Sequence, residues 1–472
     1  MTTDLHGVSP VFREKNRQAY AHGKQSEMIS LYKLNGFNYN HAHTLAASTG
    51  KQKAARCRKC SGAGRFPRPG GQHGEDRMLT LDKIYHAAFV LRDVARRTDL
   101  IAAQRLGEGL YLKTENLQLT GSFKLRGAYY KISQLTEEER ARGVIACSAG
   151  NHAQGVALAA TRMGIPSVVC MPDGAPIMKV ESTKRLGARV ELVKGTYDDA
   201  HDRAVELQQQ TGMTFIHPYD DDLVIAGQGT IGLEILDQLP DAEAIVVPIG
   251  GGGLIAGVAL AVKSLRPDVK IYGVQAAGAA SMYNAFRDKT YETLDAVDTF
   301  ADGIAVKTPG EQTFEIIKQY VDDIVTVSED EIAAAILALM ENQKLVAEGA
   351  GATPVAAALF GKLPVAGKKT VCLISGGNID VNILSRVINR GLIMSGRKCN
   401  LTIALEDKPG QLTRVSEIIS GCGANVVSVQ YDLGDTNMAI SSCFLKLGLE
   451  TRDAAQISEI RQKLQDEGFQ LV

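Results

Sequence analysis

From Ile101 onward, short and continuously apolar runs alternate with segments of helical period. The runs are GVIAC (143–147), SVVCM (167–171), RVELV (189–193), AIVVPI (244–249), IYGVQ (271–275), DIVTV (323–327) and TVCLIS (370–375). Helices are expected over 153–163, 200–210, 254–265 and 331–343, the last opened by Ser328 with Glu331 three residues on, a capping box. A strand apolar at every position must be buried on both faces, which a parallel sheet covered by helices provides. The pattern predicts an α/β body. In such sheets a ligand sits beyond the carboxyl ends of the strands, where loops run into helix N-termini.

Three of those loops carry chemistry. AIVVPI runs into Gly250, Gly251, Gly252, Gly253 and Leu254 and then the apolar helix IAGVALAV. Four glycines leave backbone N–H groups open to an anion, and the helix dipole adds to the attraction, so this loop is a candidate phosphate cradle. TGSFKLRG (120–127) places Lys124 beside Phe123 and Ser122. A lysine is a poor nucleophile at its ordinary pKa, and burial against an aromatic ring would lower it. SAGNHAQG (148–155) is a small-residue loop opening a helix. A carbonyl-trapping amine between two anion-binding loops points to a pyridoxal phosphate site acting on an amino acid. By contrast, Gly227, Gly229 and Gly232 match GxGxxG, yet no clear strand enters the first glycine, and Asp241, where the fingerprint needs an acid at the end of a second strand, lies beyond a single helix outside any strand. That match is expected to be a decoy for dinucleotide binding.

With 472 residues and 45% hydrophobic composition, the chain has material for two or three domains. It contains neither an apolar run of membrane-spanning length nor a secretory signal, and the cytoplasm is the expected compartment. Eight cysteines, several within strand-like runs, read as reduced buried thiols. Residues 1–77 hold 13 Lys and Arg against 5 Asp and Glu and keep no helical or strand period, so they are expected to be a disordered basic extension. Neither a nucleic-acid arm nor a transit peptide nor a zinc site at Cys57 and Cys60 is favoured there, because one CxxC supplies half of a closed ligand set. Met78, just before the first amphipathic pattern, is the expected start of the functional chain.

Across residues 78–395, the combination SFKLRGA, SAGNHAQG, HPYDD, GQGTIGLEI, GGGGLIAG, DGIAVKTPG and SGGN resembles the threonine ammonia-lyases (threonine dehydratases) of the fold type II pyridoxal phosphate enzymes. The resemblance implies a two-subdomain body like the tryptophan synthase β chain. Lys124 becomes the Schiff-base and proton-transfer lysine, with Phe123 beside the cofactor. Asn151 would bond the ring hydroxyl, Gly250–Gly253 with Leu254 would hold the phosphate, and Ser375 would face the pyridine nitrogen. Ser148, Ala149, Gly150, Asn151 and His152 would receive the substrate carboxylate. The implied reaction converts threonine to 2-oxobutanoate and ammonia, and serine to pyruvate. Serine racemases are similar too, but they need a base where Ala149 stands, and the acids of their cation site are replaced by Gln275 and Ser281, so no metal is expected. A catalytically silent amino-acid sensor would have lost Lys124 or the glycines.

Residues 398–472 change pattern. LTIALEDKPGQLTRVSEIISGCGANVVSVQYD, a turn at GDTN, MAISSCFLKL and a last amphipathic helix before FQLV give β-α-β-β-α-β, the ferredoxin-like order, and resemble an ACT regulatory domain. The DKPGQL loop matches the place where such domains bind small amino acids at subunit interfaces, and an oligomerisation module with no ligand is the alternative reading. The expected partners are therefore an amino-acid substrate, an amino-acid effector and further copies of the chain in a dimer or tetramer, with neither nucleic acid nor membrane.

Overall fold

The computed structural model describes residues 79–432 and 442–472. The basic extension, the Cys57/Cys60 pair, the Met78 start and the GDTN turn lie outside these residues. Among the described residues there are fourteen strands: β1 Leu100–Ala102, β2 Leu110–Lys113, β3 Val144–Cys147, β4 Ser167–Pro172, β5 Arg189–Val193, β6 Thr214–Phe215, β7 Ala244–Pro248, β8 Lys270–Ala276, β9 Asp323–Val327, β10 Thr370–Leu373, β11 Lys398–Glu406, β12 Asn425–Asp432, β13 Ser442–Glu450 and β14 Gln470–Leu471. They form a six-stranded sheet ordered β1-β2-β10-β7-β8-β9, a four-stranded sheet β5-β4-β3-β6 and a four-stranded sheet β12-β13-β11-β14. The first is parallel except for β1 on β2, and the second is parallel throughout.

Side-chain alternation explains why β7 and β3 carry no polar residue. Along β7, Ile245 and Val247 enter the core on one face of the large sheet, while Ala244 and Val246 enter the core on the other. In the small sheet, Val144 and Ala146 of β3 are divided in the same way from Ile145 and Cys147. All seven apolar runs read from the sequence are strands. Ser328 and Glu331 form the expected reciprocal cap at the start of the helix Glu329–Gln343.

The GxGxxG glycines lie in the middle of the buried helix Asp222–Gln238, not at a strand-to-helix turn. A Cβ on Gly227 would sit 2.6 Å from the Gly127 Cα, and one on Gly229 would sit 2.9 Å from the Gly257 carbonyl oxygen. These glycines let that helix pack against the helices Lys124–Ser133 and Gly253–Leu265 at backbone contact. The third sheet has the expected β-α-β-β-α-β order, with its helices at Gln411–Gly421 and Ala454–Asp466. Its strands pair antiparallel around a separate apolar core. Among the described residues six cysteines are free, and no helix is long and apolar enough to cross a membrane.

Candidate active site

The SFKLRG and SAGNHAQG motifs meet through a helix crossing. Lys124 opens the helix Lys124–Ser133 and Asn151 opens the helix Asn151–Arg162. A Cβ on Gly155 would lie 3.0 Å from the Lys124 carbonyl carbon, so the absence of a side chain permits this approach. SGGN joins from the end of β10: the Phe123 N–H donates to the Ser375 carbonyl at 3.1 Å, and Ser122 bridges to Gly376. Ser375 is buried, and Ser122 Oγ is a fully buried hydroxyl without a protein partner.

Lys124 is enclosed. Its Nζ donates to the Pro218 carbonyl at 2.7 Å and lies 5.3 Å from the Phe123 ring centroid. Burial pulls its pKa down to about 8, against the opposing pull of the nearby Glu348 carboxyl. The HPYDD turn that presents Pro218 is shaped by His217, whose Nδ1 accepts from the backbone N–H of Tyr219 (3.3 Å) and Asp220 (2.7 Å).

The glycine loop follows β7, and Gly252, at φ +97°, precedes the helix Gly253–Leu265. Part of its glycine requirement is met by protein. A Cβ on Gly251 would fall 2.4 Å from the Tyr219 ring, one on Gly253 would fall 2.6 Å from the Tyr219 carbonyl oxygen, and one on Gly250 would fall 3.1 Å from the Ile304 Cα. The sequence pattern alone assigns these missing side chains to an anion. The geometry adds a clamp by HPYDD and DGIAV that holds the loop, while the first-turn N–H groups of the helix have no carbonyl one turn earlier to bond. The Gly251 carbonyl is fixed by the Thr313 hydroxyl at 2.6 Å. Asp220 caps the helix Glu311–Tyr320, accepting from the N–H groups of Glu311, Gln312 and Thr313 at 3.1, 3.0 and 3.1 Å.

In the loop Ser148–His152, Ser148 donates its N–H to the Cys170 carbonyl at 3.2 Å, and its hydroxyl accepts from the Gly150 N–H at 3.2 Å. Ala149 packs beside the small-sheet core. His152 is buried with Nε2 2.7 Å from the Ile216 carbonyl, and burial together with Lys124 pushes its pKa down to about 3, so the ring is neutral and its polar edge is occupied. Its backbone, rather than its imidazole, belongs to the loop. Asn151 donates through Nδ2 to both Glu348 oxygens at 2.8 and 3.0 Å, and its Oδ1 accepts from Asn378 Nδ2 at 2.7 Å.

Glu348 and Asn378 do not stand out in the sequence as site residues. A signal for Glu348 exists: it is the lone acid in LVAEGAGATPVAAALF, a run otherwise suited to burial. Arg126, two residues after Lys124, anchors the lysine helix. Its Nε and Nη2 grip Glu115 at 2.8 Å each and its Nη1 meets Glu234 at 2.6 Å, while buried Lys113 completes the network through Glu234 at 2.6 Å. Gln275 and Ser281 are engaged in protein hydrogen bonds, with the Tyr283 N–H at 2.7 Å and the Val306 carbonyl at 2.9 Å.

Residues 91–377 match the sequence profile of the family described as pyridoxal-phosphate dependent enzyme. The chain belongs to this family. It is 50% identical over 398 residues to the L-threonine ammonia-lyase of Thermotoga maritima, covering 84% of this chain and 99% of that protein. Among solved structures it is similar to the processed form of threonine deaminase isoform 2 from Solanum lycopersicum, with a TM-score of 0.63 and 39% identity, covering 70% of this chain and 94% of the other. A maize serine racemase gives the same TM-score of 0.63 at 34% identity, covering 67% and 98%. The site suits the cofactor of a pyridoxal-phosphate dependent enzyme. It offers a buried amine of lowered pKa, a helix N-terminus with small-residue approach, and an unpartnered buried hydroxyl at Ser122.

Proposed function

We propose that this protein is an L-threonine ammonia-lyase that converts L-threonine to 2-oxobutanoate and ammonia, with L-serine to pyruvate as a second activity. The carrying observation is the buried Lys124 amine at the junction of the SFKLRG, SAGNHAQG and SGGN loops. Pyridoxal phosphate, when bound, supplies an electron-withdrawing ring that acidifies the substrate Cα proton.

The residues of the chain do the rest. Lys124 would hold the cofactor, and its amine, whose pKa burial lowers to about 8, would accept the Cα proton once the substrate amine has freed it. The N–H groups from Gly250 to Leu254 would hold the phosphate at the helix N-terminus. Ser148–His152 receives the substrate carboxylate at the start of the helix Asn151–Arg162. Ser375 would offer the ring nitrogen a neutral hydroxyl, which would not hold that nitrogen protonated, so charge developed at Cα would be relieved by loss of the β-hydroxyl, leaving as water with the proton that Lys124 had taken. Ala149 provides no base on the face opposite Lys124, which supports a lyase over a racemase.

In this reading residues 78–395 form the catalytic domain and 398–472 an ACT domain that takes an amino-acid effector in an assembly of several copies. The test is steady-state formation of 2-oxo acid from threonine and serine side by side, with and without Lys124→Ala. Turnover of threonine by wild type and its abolition in the folded variant are expected; dehydration retained by K124A refutes the assignment.

A further inference from the structure

Glu348 is an acid that the chemistry above leaves unused. It stands immediately before the helix Gly349–Leu359, is 3% exposed, and accepts from Asn151 through both oxygens. Two glycines admit it: a Cβ on Gly376 would fall 2.5 Å from its Oε1 and one on Gly303 3.1 Å. The charged groups around it are Asp302 on the turn Asp302–Ile304, Lys179 on the helix Ile177–Arg185, and Lys124. Neither lysine pairs with it: Lys179 bridges to Asp302 at 2.5 Å and Lys124 donates to the Pro218 carbonyl. The carboxyl is held by neutral amides, those of Asn151 and the Asn378 backbone.

We propose that Glu348 is a positioning residue whose ionised carboxyl locks the Asn151 amide against the cofactor ring and whose protonation releases it. This rests on the reading that puts the cofactor on Lys124 with its ring beside Asn151. An ionised carboxylate accepts at both oxygens, whereas a carboxylic acid presents a hydrogen on one of them and loses that acceptor. The far side of the amide is already fixed, because Asn151 Oδ1 accepts from Asn378 Nδ2, which also donates to the Thr120 carbonyl at 2.8 Å. The amide therefore turns only by breaking that chain, and the state of Glu348 sets how firmly it is held. Burial and the like charge of Asp302 push the Glu348 pKa up to about 7, so the change of state falls at neutrality.

The experiment uses holoenzyme. Borohydride reduction and peptide mapping first establish whether the cofactor sits on Lys124; a negative result there removes the site reading itself, independently of any result of the titration. Absorbance and fluorescence of the bound cofactor are then titrated from about pH 5.5 to 8.5, the range around the expected transition, for wild type, Glu348→Gln and Glu348→Asp. A one-proton transition near neutrality is expected in wild type, lost in E348Q and displaced in E348D. E348Q should also hold the cofactor about tenfold more weakly than wild type at the alkaline end, the loss of one charge-assisted hydrogen bond, and converge with it at the acid end. A purely packing role predicts no such convergence. A transition unchanged in E348Q, or absent from wild type, overturns the proposal. Should E348Q fail to fold, a transition undisplaced in E348D overturns it equally.

Discussion

Replacing Gly227 by Ala separates two readings of the GxGxxG stretch. The added methyl would sit 2.6 Å from the Gly127 Cα, 2.7 Å from the Arg126 carbonyl oxygen and 2.8 Å from the Gly127 N. All three are backbone atoms of the lysine helix, so no side chain can swing aside, and the helices must part by about 1 Å to restore ordinary contact. Such overpacking costs about 1–3 kcal/mol. Parting also stretches the Arg126–Glu234 hydrogen bonds of 2.6 and 3.0 Å that span the same crossing, adding about 1 kcal/mol or more. Against this, Ala gains about 1 kcal/mol of helix propensity over Gly. The net expectation is a loss of about 2 kcal/mol, together with weaker cofactor retention because Lys124 is on the displaced helix. Gly421→Ala is the control, since that glycine closes the helix Gln411–Gly421 with open space where the Cβ would go. Thermal unfolding followed by far-UV circular dichroism should show G227A lowered by several degrees and G421A unchanged or raised. Wild-type stability in G227A refutes the packing account, and loss of dinucleotide binding without loss of stability favours the other reading.

Further outcomes follow from the same contacts. Arg126→Met strands Glu115 as an unpaired charge in a fully buried site, and breaking a buried pair in this way costs about 3–5 kcal/mol; chemical denaturation of the variant against wild type measures it. Uptake of pyridoxal phosphate by apoprotein needs the neutral Lys124 amine, so its rate should rise with pH through about 8 and level off above, as stopped-flow absorbance will show. Glu348 is raised to about 7 in the folded chain, so the native state binds more protons than the unfolded state between its ordinary value and 7. Its contribution to stability is therefore present at low pH and falls as pH rises through that window, to a loss of about 3 kcal/mol at the alkaline end. Apoprotein E348Q should accordingly be more stable than wild type at about pH 8 and lose that advantage near pH 5, read by melting temperature.

Elements whose burial is written into consecutive residues were legible from the sequence. β7 and β3 are buried on both faces and carry no polar residue to confuse the pattern, and the Ser328 cap depends on residues three apart. Three strands escaped for physical reasons. β2 ends in Lys113, a charge that reads as surface until Glu234, 121 residues away, neutralises it. β6 has two residues and exists through its pairing with β3, and β1 has three on the edge of the large sheet. The site divided in the same way. Lys124, the glycine loop and Asn151 announce themselves through local motifs, whereas the Glu348–Asn151–Asn378 chain joins residues 197 and 227 positions apart and leaves no local spacing. The glycines of 250–253 read locally as room for an anion, and the accommodation of Tyr219 and Ile304 becomes visible only with the HPYDD and DGIAV turns in place.

The central claim is that the Lys124 amine carries the cofactor. Purified holoenzyme reduced with borohydride, digested and mapped by mass spectrometry tests it most directly. A pyridoxyl group on the peptide spanning Ser122–Gly127 is the predicted result. Its appearance on another lysine, such as Lys113 or Lys131, or on none, contradicts the account.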